Sequence, residues 1–175
     1  MSDLRYPIGK FDVSAPVTPE IRVAAVWDLA QLPERLRAAV NRLTDTQLDT
    51  PYRPEGWTVR QVVHHMADSH LNAMTRVRLA LTEDEPTIKP YIEEKWAELA
   101  DARTLAVEPS MQILEGVHAR LVALLRTLDD ADFARTVVHP EHGRSMSVDV
   151  LVALYGWHSR HHVRHITALR ERMGW

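Results

Sequence analysis

The chain has no cysteine in its 175 residues. That absence excludes disulfides, thiolate metal sites and a cysteine nucleophile, and it fits a reducing compartment. Glycine and proline are sparse, at 6 and 10 residues, too few for an all-β protein with many tight turns, so helix is favoured. Charge of one sign is lacking too: 21 Lys and Arg face 24 Asp and Glu, a net charge of -3, with no basic stripe of the kind that nucleic acid selects. No apolar run approaches the roughly 18 to 20 residues of a membrane span, and the start lacks the basic and apolar regions of a secretory signal. The expectation is a cytoplasmic protein that binds neither nucleic acid nor membrane. G-x-S-x-G elbows, P-loops and G-x-G-x-x-G turns are also missing, which removes the common signatures of serine hydrolases, NTPases and dinucleotide enzymes.

What the chain has in excess is histidine, ten residues of it. Length predicts one domain over residues 1–175 with a core of its own. Four long helical patterns are legible. The first starts at Thr18-Pro19, a capping residue followed by proline at the first helical position, and runs to about Leu43, with Pro33 kinking or restarting it. Thr58 caps a second of about 24 residues ending near Thr82. Pro109 starts a third, whose stripe of Met111, Leu114, Val117, Leu121 and Leu125 faces a core, and Asp129-Asp130 closes it. Ser147 caps a fourth that reaches about Arg172. Between the second and third lies a crossing with Pro86 and Pro90 and a short helix within Ile92 to Ala100. Between the third and fourth, Thr136-Val137-Val138 reads as a short strand before a polar turn containing His139 and His142. Together these predict an all-α four-helix bundle with long crossover connections, in which a metal or cofactor site is built from inward side chains of facing helices.

On the fourth helix, stepping 100° per residue from Val148, the apolar residues Leu151, Tyr155, Ile166 and Leu169 fall at about 300°, 340°, 0° and 300°, and His158 and His162, at about 280° and 320°, interrupt that face. His161 and His165, a second i,i+4 pair, fall on its flank at about 220° and 260°, while Arg160 and Arg164 point to solvent. Imidazoles four residues apart on one face are stacked neighbours able to ligate one ion, and burying them side by side without one leaves polar nitrogens to satisfy. A third ligand must come from a facing helix, and the second helix offers candidates. There His64 is expected in solvent, His65 lies on the flank, and His70 lies in the core stripe, which periodicity mildly prefers. The residues between His158 and His162 lack the glutamate of HExxH, so that peptidase class is excluded. His118 reads as a surface or interface residue, and the tryptophans at 27, 57, 96, 157 and 175 as packing or subunit contacts. Asp68 faces away from the core, and no carboxylate is placed as a general base.

Three segments carry a family resemblance: Leu4-Arg5-Tyr6-Pro7-Ile8-Gly9, the stretch from Pro51 through Trp57-Thr58 and His64-His65-Met66-Ala67-Asp68-Ser69-His70 to Asn72, and Tyr155-Gly156-Trp157-His158-Ser159-Arg160-His161-His162. They resemble the YfiT-type metal-dependent hydrolases of the DinB-like superfamily across essentially the whole chain. The resemblance implies a four-helix bundle, a homodimer, and one divalent ion held by His65, His158 and His162, which moves the third ligand from His70 to His65. Three neutral imidazoles with an open position suit zinc first, with nickel possible. Hydrolysis of a small-molecule substrate is the direct expectation. Transfer of a low-molecular-weight thiol, an activity of DinB-like relatives, and a non-catalytic metal-binding bundle are the alternatives.

Overall fold

A computed structural model describes residues 3–140 and 143–175. Among the described residues, eight helices and one hairpin follow in the order α1 (Pro19–Val40), α2 (Asp45–Leu48), α3 (Val59–Thr82), α4 (Glu93–Trp96), α5 (Ala100–Thr104), α6 (Glu108–Leu125), α7 (Asp130–Ala134), β1 (Thr136–His139), β2 (Arg144–Ser147) and α8 (Val148–Met173). The starts are set locally. Thr58 and Gln61 exchange side-chain and backbone hydrogen bonds in a capping box, and the Ser147 hydroxyl accepts from the Val150 N–H. Gly174, at φ 69°, provides the left-handed residue that ends α8.

Helix α1 packs against α8 and α6, and α3 packs against the same two. The first and second long helices therefore stand on one diagonal of the bundle, and the third and fourth on the other, so both connections cross instead of turning back as hairpins. The close approach of α8 to α1 depends on Gly156, where a Cβ would sit 2.9 Å from the Ala25 backbone. Among the described residues no helix is long and apolar enough to cross a membrane.

Three details differ from the sequence reading. Helix α1 runs unbroken through Pro33; because proline has no N–H, the carbonyl of Leu29, four residues earlier, loses its helical partner. The expected short helix between Ile92 and Ala100 is present as α4, but a second one, α5, follows it in the crossing, and α6 ends at Leu125, with Asp129 capping the separate turn α7. The strand at Thr136 exists and pairs antiparallel with β2, Thr136 opposite Ser147 and Val137 opposite Met146.

The core is in two apolar halves. Ala25, Leu29, Ala73, Val77, Leu121, Leu125, Leu151 and Tyr155 fill one; Leu32, Leu36, Val62, Met66, Met111, Leu114, Ile166 and Leu169 fill the other. Each long helix contributes to both. At the level between them α3, α6 and α8 carry His65, His70, His118, His158 and His162, so a polar layer crosses the bundle between two oily ends.

Candidate metal centre

Helix α3 carries His65 and α8 carries His158 and His162, and one ring nitrogen from each lies within 4.8 Å of the others. The Nε2 atoms of His65 and His158 are 3.1 Å apart. Nitrogens bound about 2.0–2.1 Å from a tetrahedral ion stand about 3.3 Å apart, so the His65–His158 pair already has the spacing of two ligands of one ion, with a His162 donor within 4.8 Å of both. The i,i+4 spacing puts the His158 and His162 rings edge to face with centroids 4.4 Å apart, and His65 meets His162 at 4.9 Å.

All three rings are held neutral, the state a ligand requires. Burial, reinforced by the neighbouring His161, holds His65 down to about 4. Burial first, and then surrounding histidines, puts His158 and His162 well below the ordinary histidine value. Three imidazoles without a carboxylate or thiolate suit a borderline divalent ion with a position left open for a small molecule.

That open side faces a pocket of about 360 Å³ lined by the three histidines together with Tyr52, Arg53, Trp57, Glu93, Trp157 and His161. Glu93, at the start of α4, places Oε2 3.6 Å from His65 Nε2. No periodicity marks this carboxylate, because it sits on one turn of helix in the crossing. Trp57 packs on His65 with centroids 4.7 Å apart, and Trp157 stacks on His161 at 4.4 Å. These two tryptophans therefore form pocket wall, where the sequence favoured packing or a subunit contact over substrate binding. His161 Nδ1 and Trp157 Nε1 are buried without a hydrogen-bond partner among the described residues. Unpaired buried polar atoms carry a free-energy cost.

The other histidines depart from expectation in instructive ways. His64 is buried, not solvated: Nδ1 lies 2.7 Å from Ser110 Oγ and Nε2 3.2 Å from the Leu105 carbonyl. His118 is buried as well, 2.6 Å from the Leu29 carbonyl through Nδ1 and 3.0 Å from His70 Nδ1 through Nε2. His70 is fully enclosed and continues to His158 Nδ1 at 3.2 Å. His161 and His165 are buried on the flank, and with His162 they form a second group whose donors lie close enough for an ion. His165 is tied down, its Nε2 3.2 Å from the Arg5 carbonyl and its ring stacked on Tyr52 at 3.9 Å. Asp68 is half-buried and pushed up to about 6, by burial first and then by Asp101. His139 is buried at the end of β1 and is not part of the pocket wall; His142 lies outside the described residues.

The profile of the DinB superfamily matches residues 28–166, most of the chain and all three of these histidines. The chain belongs to the DinB superfamily. Its likeness to individual members extends end to end. Proteins named "Putative metal-dependent hydrolase" from Bacillus cereus and from Bacillus mycoides are each 51% identical over 175 residues, with 100% of both chains covered. Among solved structures, YfiT from Bacillus subtilis, described as "a probable metal-dependent hydrolase with an unusual four-helix bundle topology", is 46% identical, covers 98% of each chain and superposes with a TM-score of 0.94. The diagonal arrangement of consecutive long helices in this DinB-superfamily bundle is thus shared with a relative in which the topology was singled out.

Proposed function

We propose that this protein is a metal-dependent hydrolase that holds one divalent ion, zinc by donor preference, on His65, His158 and His162. The observation that carries the reading is the juxtaposition of three neutral imidazoles with the Glu93 carboxylate, 3.6 Å from His65 Nε2, at the mouth of a pocket. The names of the full-length relatives support it. A divalent ion held by these three residues would supply Lewis acidity and would lower the pKa of a nearby water towards about 7. The chain's own residues do the rest. Glu93 Oε2 accepts the proton of the attacking water and returns it to the leaving group. Trp57 and Trp157 shield the centre from bulk water. A pocket of about 360 Å³ holds a small molecule, not a polymer.

The test is turnover of activated esters and amides by untagged, zinc-reconstituted protein, with and without a low-molecular-weight thiol. The expected result is thiol-independent hydrolysis that His158→Ala abolishes and Glu93→Gln lowers by about 10² to 10⁴ in kcat. Turnover only when thiol is added would assign thiol transfer and reject hydrolysis; because the chain has no cysteine, any reacting thiol must come from outside it.

A further inference from the structure

One carbonyl in the middle of α1 has been released from its helix. Pro33 cannot donate to Leu29 O, as the residue at i+4 normally does. His118 Nδ1, across the interface on α6, sits 2.6 Å from that oxygen. A carbonyl only accepts, so Nδ1 of His118 carries the proton. His118 is neutral, held down to about 4 by burial, so its Nε2 is a bare acceptor. Facing it at 3.0 Å is His70 Nδ1, which must donate. His70 Nε2 is then the acceptor, and at 3.2 Å it takes the proton of His158 Nδ1. Each ring has one proton to give, so fixing the first fixes all three. The chain of donors ends with His158 Nε2 bare and directed at His65 Nε2.

A second chain of the same kind reaches the other ligand of α8. The Arg5 carbonyl, 3.2 Å away, takes a proton from His165 Nε2. His165 Nδ1 is left to accept from His162 Nδ1 at 3.3 Å, which leaves His162 Nε2 bare. Both relays begin at a main-chain carbonyl and both end by presenting Nε2.

We propose that Pro33, His118, His70 and His165 are positioning residues: they set the tautomers of His158 and His162 before any ion arrives, so that both ligands offer an unprotonated Nε2 to the same point. The proposal rests on the metal reading above for its purpose but not for its geometry. Outer partners that orient a ligating histidine are worth about 10- to 100-fold in metal affinity. His118 is the informative member, because it touches His70 and neither α8 ligand.

The experiment is long-range ¹H–¹⁵N correlation NMR of the histidine rings in the metal-free, full-length protein, which reads each tautomer directly, paired with zinc titration. Expected are Nδ1–H tautomers at His118, His70, His158 and His162, and an Nε2–H tautomer at His165. His118→Phe should leave His158 with mixed tautomers and weaken zinc binding about 10- to 100-fold. Pro33→Ala gives the Leu29 carbonyl a competing helical donor, and should weaken zinc a few-fold while thermal stability stays level or rises. His64→Phe, which removes a buried histidine outside both relays, should lower stability and leave zinc affinity as it was. An Nε2–H tautomer at His158 in the wild-type protein, or wild-type zinc affinity in His118→Phe, overturns the proposal. If His118→Phe does not fold, the wild-type tautomers and Pro33→Ala decide it. A wild-type protein that takes up no zinc rejects the metal reading alone, and the tautomers still decide the relay.

Discussion

Helix α8 carries two histidine pairs with the same i,i+4 spacing, offset from each other by three residues, and they have different surroundings. His158 and His162 present one nitrogen each to His65 and spend the other on a second histidine. In the other pair, His165 gives its Nε2 to the Arg5 carbonyl and stacks on Tyr52, and His161 stacks on Trp157 with Nδ1 unpartnered. Spacing alone makes both pairs chelators, and even the second group, with His162, lies close enough for an ion. What separates them is where the second nitrogen of each ring goes. A ring whose far nitrogen donates to another histidine keeps the near one bare, whereas a ring that donates its outward nitrogen to a carbonyl has already turned away from an ion on that side.

The largest effect expected from this difference is at the ligands. His162→Ala should leave purified protein with no stoichiometric metal by elemental analysis, whereas the folded bundle persists by circular dichroism. His165→Phe keeps the stacking on Tyr52 but removes the acceptor for His162 Nδ1, and should weaken zinc by about 10-fold in a competition titration without abolishing it.

Acid sharpens the contrast between buried rings and free ones. His118 is held down to about 4 by burial, against an ordinary 6.5. A histidine depressed in this way contributes stability that is complete above the unfolded value and is lost as pH falls from 6.5 through 4, because the unfolded chain takes up the proton first. The Tm of the metal-free protein should therefore fall between pH 7 and pH 5 in calorimetry, and His118→Phe should fall less steeply. The smallest effect belongs to His161→Phe. The ring still stacks on Trp157, so zinc affinity should change by less than about twofold in the same competition titration.

The bundle and its crossings were legible because the long helices announce themselves through caps at Thr18, Thr58 and Ser147 and through stripes of period 3.6. Helical phase alone also singled out His158 and His162. It preferred His70 to His65, because it measures direction from the bundle axis, and the pocket lies to one side, between α3, α8 and the crossing. The family resemblance supplied His65. Phase misread His64 for a related reason: the wheel of one helix cannot see Leu105 and Ser110 closing over α3. His118, read as a surface or interface residue, shares the phase of the buried stripe of α6 and meets the Leu29 carbonyl reaching out of α1. A signal for the last was present in the sequence, since a proline inside a helical pattern marks an unpaired carbonyl four residues before it. Glu93 had no comparable signal, being placed by the path of the crossing and not by any repeat.

The most direct measurement is anomalous diffraction at the zinc edge from crystals of the untagged protein grown with zinc. The account predicts a single strong peak per chain, about 2.0–2.1 Å from Nε2 of His65, His158 and His162. A peak among His161, His162 and His165 instead, coordination through Nδ1 of His158, or no peak at all would contradict it.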